Sequence, residues 1–447
     1  MKRAVVLFTG DLRLHDHPPL RAALAAADEV VPLFVQDPAV ARAGFAAPHR
    51  RAFLADCLAD LDAGLRERGG RLVVRTGDPA AEVCAVAAEC DAAEVHVAAA
   101  DSGFGQRRED RLRTALGSAG RRLHVHDTVV TAVPPGALAP QGSDHFAVFT
   151  PYFRRWSAEK LREALPAPRT VRVPDSVRSA GLPPGTSGAG GEGAARRRLS
   201  TWLREGLAAY DTSQDDLAGD ATSRLSAHLH FGTLSAVETV HRARAVGGPG
   251  ADAFVRQLCW RDFNRQLLAA RPEVSAADYR GRHDRWRTGT EAEADAEAWR
   301  EGRTGYPVVD AAMRQLRSEG WMHNRGRLLV ASFLTKTLYV DWRVGARHFL
   351  DLLVDGDIAN NQLNWQWVAG TGTDTRPNRV LNPLLQARRH DPAGDYVRRW
   401  VPELASVDGS AVHEPWKLPE KDRNGYPAPV VELSDGRNRF RQARGLD

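Results

Sequence analysis

The chain has 447 residues, and its 61 lysines and arginines exceed its 56 aspartates and glutamates by a mild +5. Hydrophobic residues make up 43% and charged residues 26%, which is typical of globular domains and excludes a disordered chain. No apolar run approaches the roughly 18 residues of a membrane span, and the four cysteines form no C-x-x-C pair. We therefore expect two or three domains in a cytoplasmic protein, with no metal and no membrane partner.

The first 130 residues alternate short apolar runs with amphipathic stretches. Buried strands are predicted at Ala4–Phe8, Val30–Val35, Arg71–Arg75, Glu94–Ala98 and Leu123–Val130. Helical periodicity lies between them, at His49–Gly69, Pro79–Cys90 and Gln106–Leu116. Buried strands that alternate with helices predict an α/β fold with a doubly wound parallel sheet.

From about Thr131 this alternation stops. Pro166–Ala195 is rich in proline and glycine, which predicts a long connector that is mobile around its glycines. Helical periodicity dominates after Arg196, and its clearest segments are Ala311–Glu319, Arg327–Tyr339 and Trp342–Leu353. The sequence thus predicts an α/β domain over 1–130, an interdomain linker over 131–198 and an all-helical domain over 199–447.

Two stretches of the second half can be explained either by structure or by chemistry. Thr222–Ser226 precedes a helical run, where its hydroxyls and N–H groups are either ordinary helix caps or an anion site. In Trp321–Arg327, His323 has no partner at metal-ligand spacing, so we interpret it as a packed structural residue. The same reasoning applies to His228 and His230.

A third stretch, Asp355–Trp367, combines two carboxylates, five amide side chains and two tryptophans. Buried carboxylates and amides need hydrogen-bond partners, so this composition favours a bound polar heterocycle flanked by indoles. The alternative is a polar loop with stray aromatic residues. The sequence holds no Walker-type phosphate loop, G-x-S-x-G or H-E-x-x-H motif, which leaves kinase, hydrolase and metalloprotease functions without support.

These three stretches, in this order, resemble motifs of the photolyase/cryptochrome family. The resemblance extends over nearly the whole chain through Asp11–Asp16, Thr304–Arg314, Gly370–Asp374 and His413–Lys417. It implies an α/β antenna domain, a linker and an all-helical domain that binds FAD and DNA. The chain is most similar to class I cyclobutane pyrimidine dimer photolyases, which implies a monomeric carbon–carbon lyase that acts on UV-damaged DNA.

The resemblance assigns a set of residues to FAD. Thr222–Ser226 would hold the phosphates, and Arg327 and Asp355 would pair over the isoalloxazine. Asp357 would accept a hydrogen bond from the ring N–H, and Asn361 would face flavin N5. The complete predicted FAD set is Tyr210, Thr222, Ser223, Arg224, Leu225, Ser226, Arg261, Arg327, Asp355, Gly356, Asp357 and Asn361.

The family also implies a chain of tryptophans that reduces flavin by light-driven electron hops. Trp365, Trp342 and Trp286 fit this chain in order from the flavin outwards, and Trp299 is an alternative to Trp286. With Asn361 they form the predicted catalytic set. Core packing would explain any one of these indoles alone, so the assignment depends on their joint match.

Repair requires the damaged bases to leave the duplex, and photolyases belong to the enzymes that flip nucleotides out. Trp260 and Trp367 would stack on the flipped bases, while arginines such as Arg376 and Arg379 would meet phosphates. The predicted DNA-binding set is Gln257, Trp260, Arg261, Asn264, Asn324, Arg325, Trp367 and Gln386.

Two functions remain open: repair of cyclobutane dimers, and blue-light sensing with little or no repair. Asn324 and Leu328 stand where photolyases for (6-4) photoproducts resemble one another in two histidines, which argues against that lesion. Asn361 resembles the amide of repair enzymes, and no long signalling tail follows the last motif. Gln257 and Asn264 replace a glutamate and an aromatic residue of dimer photolyases, which keeps the sensory function open.

A second, antenna chromophore is also implied, and we predict 8-hydroxy-5-deazaflavin. Gly105 and Gln106 stand where folate-binding members resemble one another in an Asn-Glu pair, so methenyltetrahydrofolate is the less favoured alternative. The predicted antenna-binding residues are Asp37, Arg50, Arg108 and Asp110.

Overall fold

A computed structural model describes residues 1–184 and 188–446, which form two compact units. The first unit contains Met1–Asp211, Ser223–Glu273 and Val354–Ala359, and the second contains Thr212–Thr222, Val274–Leu353 and Asn360–Asp447. Residues 185–187 of the predicted connector lie outside the described residues.

The first unit is built on a five-stranded parallel sheet, which confirms the predicted α/β fold. The strand order is β3-β2-β1-β4-β5, so the direction of winding reverses between β1 and β4. The strands are β1 (Arg3–Phe8), β2 (Glu29–Gln36), β3 (Val73–Thr76), β4 (Glu94–Ala98) and β5 (Arg122–His126).

Helices cover both faces of the sheet and continue beyond it. Several begin with a proline, which suits a first turn where the missing N–H is not needed; Asp78, for example, caps the helix that starts at Pro79. The helices up to residue 273 are α1 (Pro18–Ala26), α2 (Pro38–Arg42), α3 (Pro48–Arg66), α4 (Pro79–Glu89), α5 (Gly103–Ser118), α6 (Phe149–Ala158), α7 (Glu192–Glu205), α8 (Tyr210–Ser213), α9 (Ser226–His230), α10 (Ala236–Val246) and α11 (Pro249–Ala270).

The remaining chain is helical, as the sequence predicts. Its helices are α12 (Thr290–Glu301), α13 (Pro307–Glu319), α14 (Asn324–Ser332), α15 (Trp342–Leu352), α16 (Ile358–Ala369), α17 (Pro383–His390), α18 (Asp395–Trp400), α19 (Glu420–Arg423) and α20 (Leu433–Arg444). Within the described ranges, none of the helices is both long and apolar enough to cross a bilayer.

Each unit has its own hydrophobic core. One face of the sheet packs Val6, Phe8 and Phe34 against α1 and α3, and the other packs Val5 and Val97 against α4 and α5. The helical unit has a core of its own that includes three fully buried or nearly fully buried tryptophans: Trp299, Trp342 and Trp365.

Four details differ from the predictions. Helix α1 was not predicted, and the fifth strand ends at His126 instead of Val130. The predicted helix Arg327–Tyr339 begins earlier and changes to a π-helical turn at Phe333–Thr337. The prediction that the connector is mobile around its glycines does not fit Gly190. This residue is buried and packs closely, since a Cβ there would lie 2.5 Å from the backbone oxygen of Phe53.

Candidate functional site

In the first unit, the turn before α16 places Asp357 beside a buried arginine of α11. Arg265 forms ion pairs with both Asp357 and Asp101, and His230 Nδ1 lies 4.0 Å from Asp357 Oδ2. Burial alone would raise the pKa of Asp357, but Arg265, His230 and Arg261 together hold it well below its usual value. The carboxylate is therefore an ionised hydrogen-bond acceptor inside the protein, as an N–H of a bound ring requires.

Arg261 lies one helical turn before Arg265 and is also buried. Its guanidinium donates to the backbone oxygens of Val130 at 2.8 Å and Leu229 at 3.0 Å. Burial lowers the pKa of Arg261 to about 10, with a further contribution from Arg265. These contacts fix Arg261 in the interior, among the charges around Asp357.

The predicted phosphate-binding stretch contains a polar group without a partner. Thr222 Oγ1 is buried and has no hydrogen-bond partner among the described residues. Next to it, Ser223 Oγ accepts from Leu225 N at 3.4 Å, and Arg224 adopts a left-handed φ of 50°. Ser226 begins the short helix α9. An unused buried hydroxyl is costly unless a ligand satisfies it, so this turn fits an anionic ligand.

Tyr210, Asp355 and Gly356 are the other predicted FAD residues of the first unit, and all three are buried. The ring of Tyr210 packs edge-on against Trp202, with the centroids 5.4 Å apart. A Cβ on Gly356 would lie 2.8 Å from the guanidinium carbon of Arg50, so the absence of a side chain permits this close approach.

In the second unit, α15 and α16 bring aromatic rings together. Trp365 is 2% exposed, and its ring centroid lies 5.0 Å from that of Phe349 and 5.9 Å from that of Trp299. A Cβ on Gly345 would lie only 2.1 Å from Trp365 Cη2. Glycine at position 345 is therefore what allows the indole to lie against α15.

The other two tryptophans of the predicted chain differ in exposure. Trp342 is fully buried, and its Nε1 donates to Asp278 Oδ1 at 2.8 Å. Trp286 is half-buried, with its ring centroid 5.0 Å from that of Tyr339. The alternative, Trp299, is fully buried and donates to Val330 O at 3.0 Å.

The amide-rich segment is the helix α16 instead of a polar loop. Asn361 Nδ2 donates to Ala346 O at 3.0 Å and to Gln362 Oε1 at 2.9 Å, which fixes the amide of Asn361. Gln366 is fully buried, and its Nε2 donates to Val274 O at 2.7 Å and to Ala277 O at 3.0 Å. Backbone oxygens therefore satisfy the side-chain N–H groups of Gln366, so fewer amides of α16 are available to bind a ligand.

Three predicted DNA-binding residues follow one face of α11 at helical spacing. Gln257 is exposed, Trp260 is half-buried and Asn264 is buried. The ring of Trp260 lies parallel to that of Phe149, with the centroids 3.6 Å apart and an interplanar angle of 3°. Phe149 thus covers one face of this indole.

The predicted DNA-binding residues of the second unit are more dispersed. Arg325 donates hydrogen bonds from Nη2 to Asp215 Oδ2 at 2.6 Å and from Nε to Asp215 Oδ1 at 3.2 Å, while the neighbouring Asn324 is exposed. Arg327 Nε donates to the backbone oxygen of Met322 at 2.9 Å. Trp367 and Gln386 are half-buried. His323 caps α14 by accepting from Arg325 N at 3.1 Å, in agreement with a structural role.

The predicted antenna residues have unlike surroundings. Asp37 caps α2, and Asp110 is exposed and paired with Arg113 at 3.1 Å. Arg108 Nε is buried without a hydrogen-bond partner in the described part of the chain. Burial lowers the pKa of Arg108, although nearby Asp37 opposes this change. Arg50 donates to Phe45 O at 3.1 Å.

Three residues of these clusters were not predicted from the sequence: Arg265, Asp101 and Phe149. Asp101 follows the carboxyl end of β4, and such strand ends are where ligands of parallel sheets bind, so its position was a usable signal. Arg265 lies four residues after Arg261 on α11, on the same face. Nothing local indicated Phe149, because its contact with Trp260 joins residues 111 positions apart.

Comparison with known proteins agrees with this arrangement. The family described as "DNA photolyase" matches residues 4–169, and "FAD binding domain of DNA photolyase" matches residues 254–445. A protein of Streptomyces griseus named deoxyribodipyrimidine photo-lyase is 66% identical, with 100% of both chains covered.

Solved structures show the same relationship. A class III photolyase from Agrobacterium tumefaciens has a TM-score of 0.90 at 31% identity and covers 100% of this chain and 98% of its own. A cryptochrome from Synechocystis has a TM-score of 0.92 at 29% identity, with 99% of each chain covered. The sequence identity, the coverage and the FAD-binding domain lead to one conclusion: this chain belongs to the DNA photolyase family.

Proposed function

We propose that this chain repairs cyclobutane pyrimidine dimers in DNA by light-driven electron transfer from reduced FAD to a lesion flipped out of the duplex. The observation that carries the proposal is the full-length, 66% identity to a deoxyribodipyrimidine photo-lyase. Reduced FAD supplies the electron when it absorbs light, and the electron returns after the dimer splits. The chain itself needs no nucleophile or general base; it must bind the cofactor, exclude water and hold the damaged bases.

The buried polar groups support the assignment of FAD contacts. The ionised carboxylate of Asp357 suits an N–H of the flavin ring, and the unpartnered hydroxyl of Thr222 suits a phosphate oxygen. Tyr210, Ser223–Ser226, Arg261, Arg327, Asp355 and Gly356 complete the proposed set. Asp357→Asn should release FAD faster than wild type, which a filtration assay of bound flavin absorbance would show.

We further propose that Trp365, Trp342 and Trp286 carry electrons inwards to FAD and that Asn361 faces flavin N5. The last tryptophan of such a chain must exchange charge with solvent or an outside reductant. Half-buried Trp286 satisfies this condition, whereas Trp299 is fully buried and hydrogen-bonded to backbone. Exposure therefore supports Trp286 as the terminal member.

Matched phenylalanine variants test this order. Trp365→Phe and Trp286→Phe should block photoreduction of oxidised FAD, while Trp299→Phe should leave it intact despite lying against Trp365. Dimer repair by chemically reduced Trp365→Phe should survive, because the chain serves activation of the cofactor. Normal photoreduction in Trp365→Phe would contradict the assignment.

On the DNA side, we propose that the residues that take part in binding damaged DNA are Gln257, Trp260, Arg261, Asn264, Asn324, Arg325, Trp367 and Gln386. Trp260 supports this proposal because Phe149 fixes one of its faces, which leaves the indole in a single orientation. Gln257→Glu should raise repair efficiency, since a protonated carboxyl donates a stronger hydrogen bond than an amide to developing negative charge. Gln257→Asn, a shorter amide, is the matched control.

Lesion choice separates repair from sensing. Asn324 and Leu328 supply no imidazole to protonate a (6-4) photoproduct, so we expect repair of cyclobutane dimers alone. Blue light on DNA with one defined lesion, followed by restriction-site recovery, measures this choice. No dimer repair by fully reduced enzyme would favour the alternative, a flavin photoreceptor, which the structural similarity to a cryptochrome supports.

For the antenna, we propose 8-hydroxy-5-deazaflavin near Asp37, Arg50, Arg108 and Asp110. The buried, unpartnered Nε of Arg108 supports an acidic ligand there. Arg108→Met should abolish binding of added deazaflavin, measured by its fluorescence, while Arg113→Met on the exposed side of α5 should not. Binding of methenyltetrahydrofolate in preference to deazaflavin would overturn the proposal.

A further inference from the structure

A cluster of histidines lies on the last two strands of the sheet, β4 and β5. The strands pair in parallel with His96 opposite His124, Glu94 opposite Arg122 and Ala98 opposite His126. Side chains alternate between the faces of a strand, so Glu94 and the three histidines share one face. Val95 and Val97 point to the other face, into the hydrophobic core.

The nitrogen and oxygen atoms of this cluster converge. Glu94 Oε2 lies 3.7 Å from His96 Nε2 and 3.6 Å from His124 Nε2, and all three atoms lie within 4.8 Å of one another. His96 is 3% exposed. Neither Nε2 atom has a hydrogen-bond partner in the described part of the chain, although both are buried.

We propose that Glu94, His96 and His124 bind one divalent transition-metal ion of the Zn²⁺ type. Imidazole nitrogen and carboxylate oxygen are ligands that Zn²⁺ accepts, at about 2.0–2.2 Å, and three protein ligands leave one position for water. Ligand atoms around such a tetrahedral ion lie about 3.3–3.5 Å apart. The rings of His96 and His124 stack with their centroids 4.7 Å apart and an interplanar angle of 16°, so the two imidazoles must tilt towards each other for both Nε2 atoms to bind one ion.

The surroundings leave the required atoms available. Arg122 pairs with Glu94 through Oε1, which leaves Oε2 facing the two imidazoles. His96 Nδ1 lies 3.1 Å from His126 Nε2. With metal on Nε2, Nδ1 of His96 carries the proton and donates to His126, the outer-shell contact that orients ligating histidines.

The proposed ion would join β5, the strand at the edge of the sheet, to β4. The ligands come from two strands, and the two histidines are 28 positions apart in the sequence. Such a separation does not match the short ligand spacings by which a metal site is recognised in a sequence. The proposal therefore departs from the expectation that the protein holds no metal, and it concerns a site separate from the residues assigned to FAD and DNA.

Calorimetric titration of the chelator-treated, flavin-loaded protein with Zn²⁺ tests the site. We expect one ion per wild-type chain, and binding weakened well over tenfold in His124→Ala and Glu94→Gln. His126→Ala should weaken binding by about 10-fold, as loss of an outer-shell partner does. His283→Asn removes an exposed histidine elsewhere and should bind as wild type.

Electron paramagnetic resonance of the Cu²⁺-loaded protein identifies the ligands. Two imidazole nitrogens should couple to the copper in wild type and one in His124→Ala. Retained flavin absorbance shows that each variant is folded. The side chains of His124 and Glu94 are partly exposed, so their replacement leaves the hydrophobic core unchanged. No Zn²⁺ uptake by wild type, or equal uptake by His124→Ala, would overturn the proposal.

Discussion

Asp310 in the second unit and Asp357 in the first are both buried carboxylates within stretches that resemble family motifs, but their partners differ in kind. Asp310 accepts hydrogen bonds from Thr304 N at 2.8 Å, Thr304 Oγ1 at 2.7 Å, Gly305 N at 3.1 Å and the hydroxyl of Tyr426. Asp357 is instead held by cationic Arg265, with His230 close by.

The two environments move the pKa values in opposite directions. Burial raises the pKa of Asp310 to about 6 despite its neutral donors, whereas the cations keep the pKa of Asp357 well below its usual value. Neutral hydrogen bonds, with a smaller electrostatic contribution from Arg314, thus do not offset the cost of burying the charge of Asp310, whereas the direct ion pair with Arg265 does so for Asp357. Asp310 connects the turn at Thr304 and Gly305 to Tyr426 through hydrogen bonds. Asp357 instead keeps the negative charge that favours a hydrogen bond from a ligand N–H.

The largest expected effect comes from removing the cation at Asp357. Arg265→Ala would leave the buried carboxylate of Asp357 and the partly buried carboxylate of Asp101 without this counter-ion, which should lower the free energy of unfolding by about 3–5 kcal/mol. Chemical denaturation measures this change. Arg347→Ala is the control, because its ion pair with Asp351 is about half exposed and should contribute less than about 1 kcal/mol. Equal effects of the two substitutions would show that the buried ion pair contributes no more to stability than the exposed one.

A smaller loss should follow removal of one neutral donor. Tyr426→Phe deletes the hydroxyl that donates to Asp310, which should cost about 1–3 kcal/mol because a buried acceptor loses a partner. The same change should raise the pKa of Asp310 further, and thermal unfolding followed at several pH values would measure both effects. An unchanged melting temperature would show that this bond contributes nothing.

The stability of two asparagine variants, each compared with wild type, should depend differently on pH. The raised pKa of Asp310 means that its contribution to stability is complete below about pH 4 and is lost as pH rises through about 6. The stability difference between wild type and Asp310→Asn should therefore shrink from pH 4.5 to pH 7.

Asp357 should behave in the opposite way. Its lowered pKa gives a contribution that is complete above about pH 4 and is lost only as pH falls further. The difference between wild type and Asp357→Asn should stay constant from pH 5 to pH 7. Denaturation midpoints of both variants across this range check the comparison, and parallel curves for the two would contradict it.

The sequence predicts the sheet well because its central strands, such as Val30–Val35, are apolar on both faces and are bounded by polar turns. Periodicity also located the helices α13 and α15 to within a few residues. It could not locate the π-helical turn Phe333–Thr337, because local pattern does not distinguish hydrogen bonds to the fourth residue from those to the fifth.

The candidate site is less predictable for a different reason. The motifs identified Asp357, but its electrostatic partner Arg265 comes from a helix 92 positions earlier, and composition carries no signal for that contact. Gln366 is the opposite case, a residue that the sequence suggested as a ligand contact but that has a structural role. Its amide N–H groups donate to backbone oxygens of the folded chain. The positions of helices and strands could thus be predicted from the sequence, whereas contacts between side chains that are distant in sequence could not.

The parallel contact between Phe149 and Trp260 has a consequence for the rate at which a stacked base leaves. An indole whose orientation is fixed by a 3.6 Å stack has already given up its rotamer freedom during folding. A base that stacks on its other side therefore pays little additional conformational entropy, and affinity gained in this way appears mainly as slower dissociation. Phe149, which need not touch the ligand, would then set how long an extruded nucleotide remains bound.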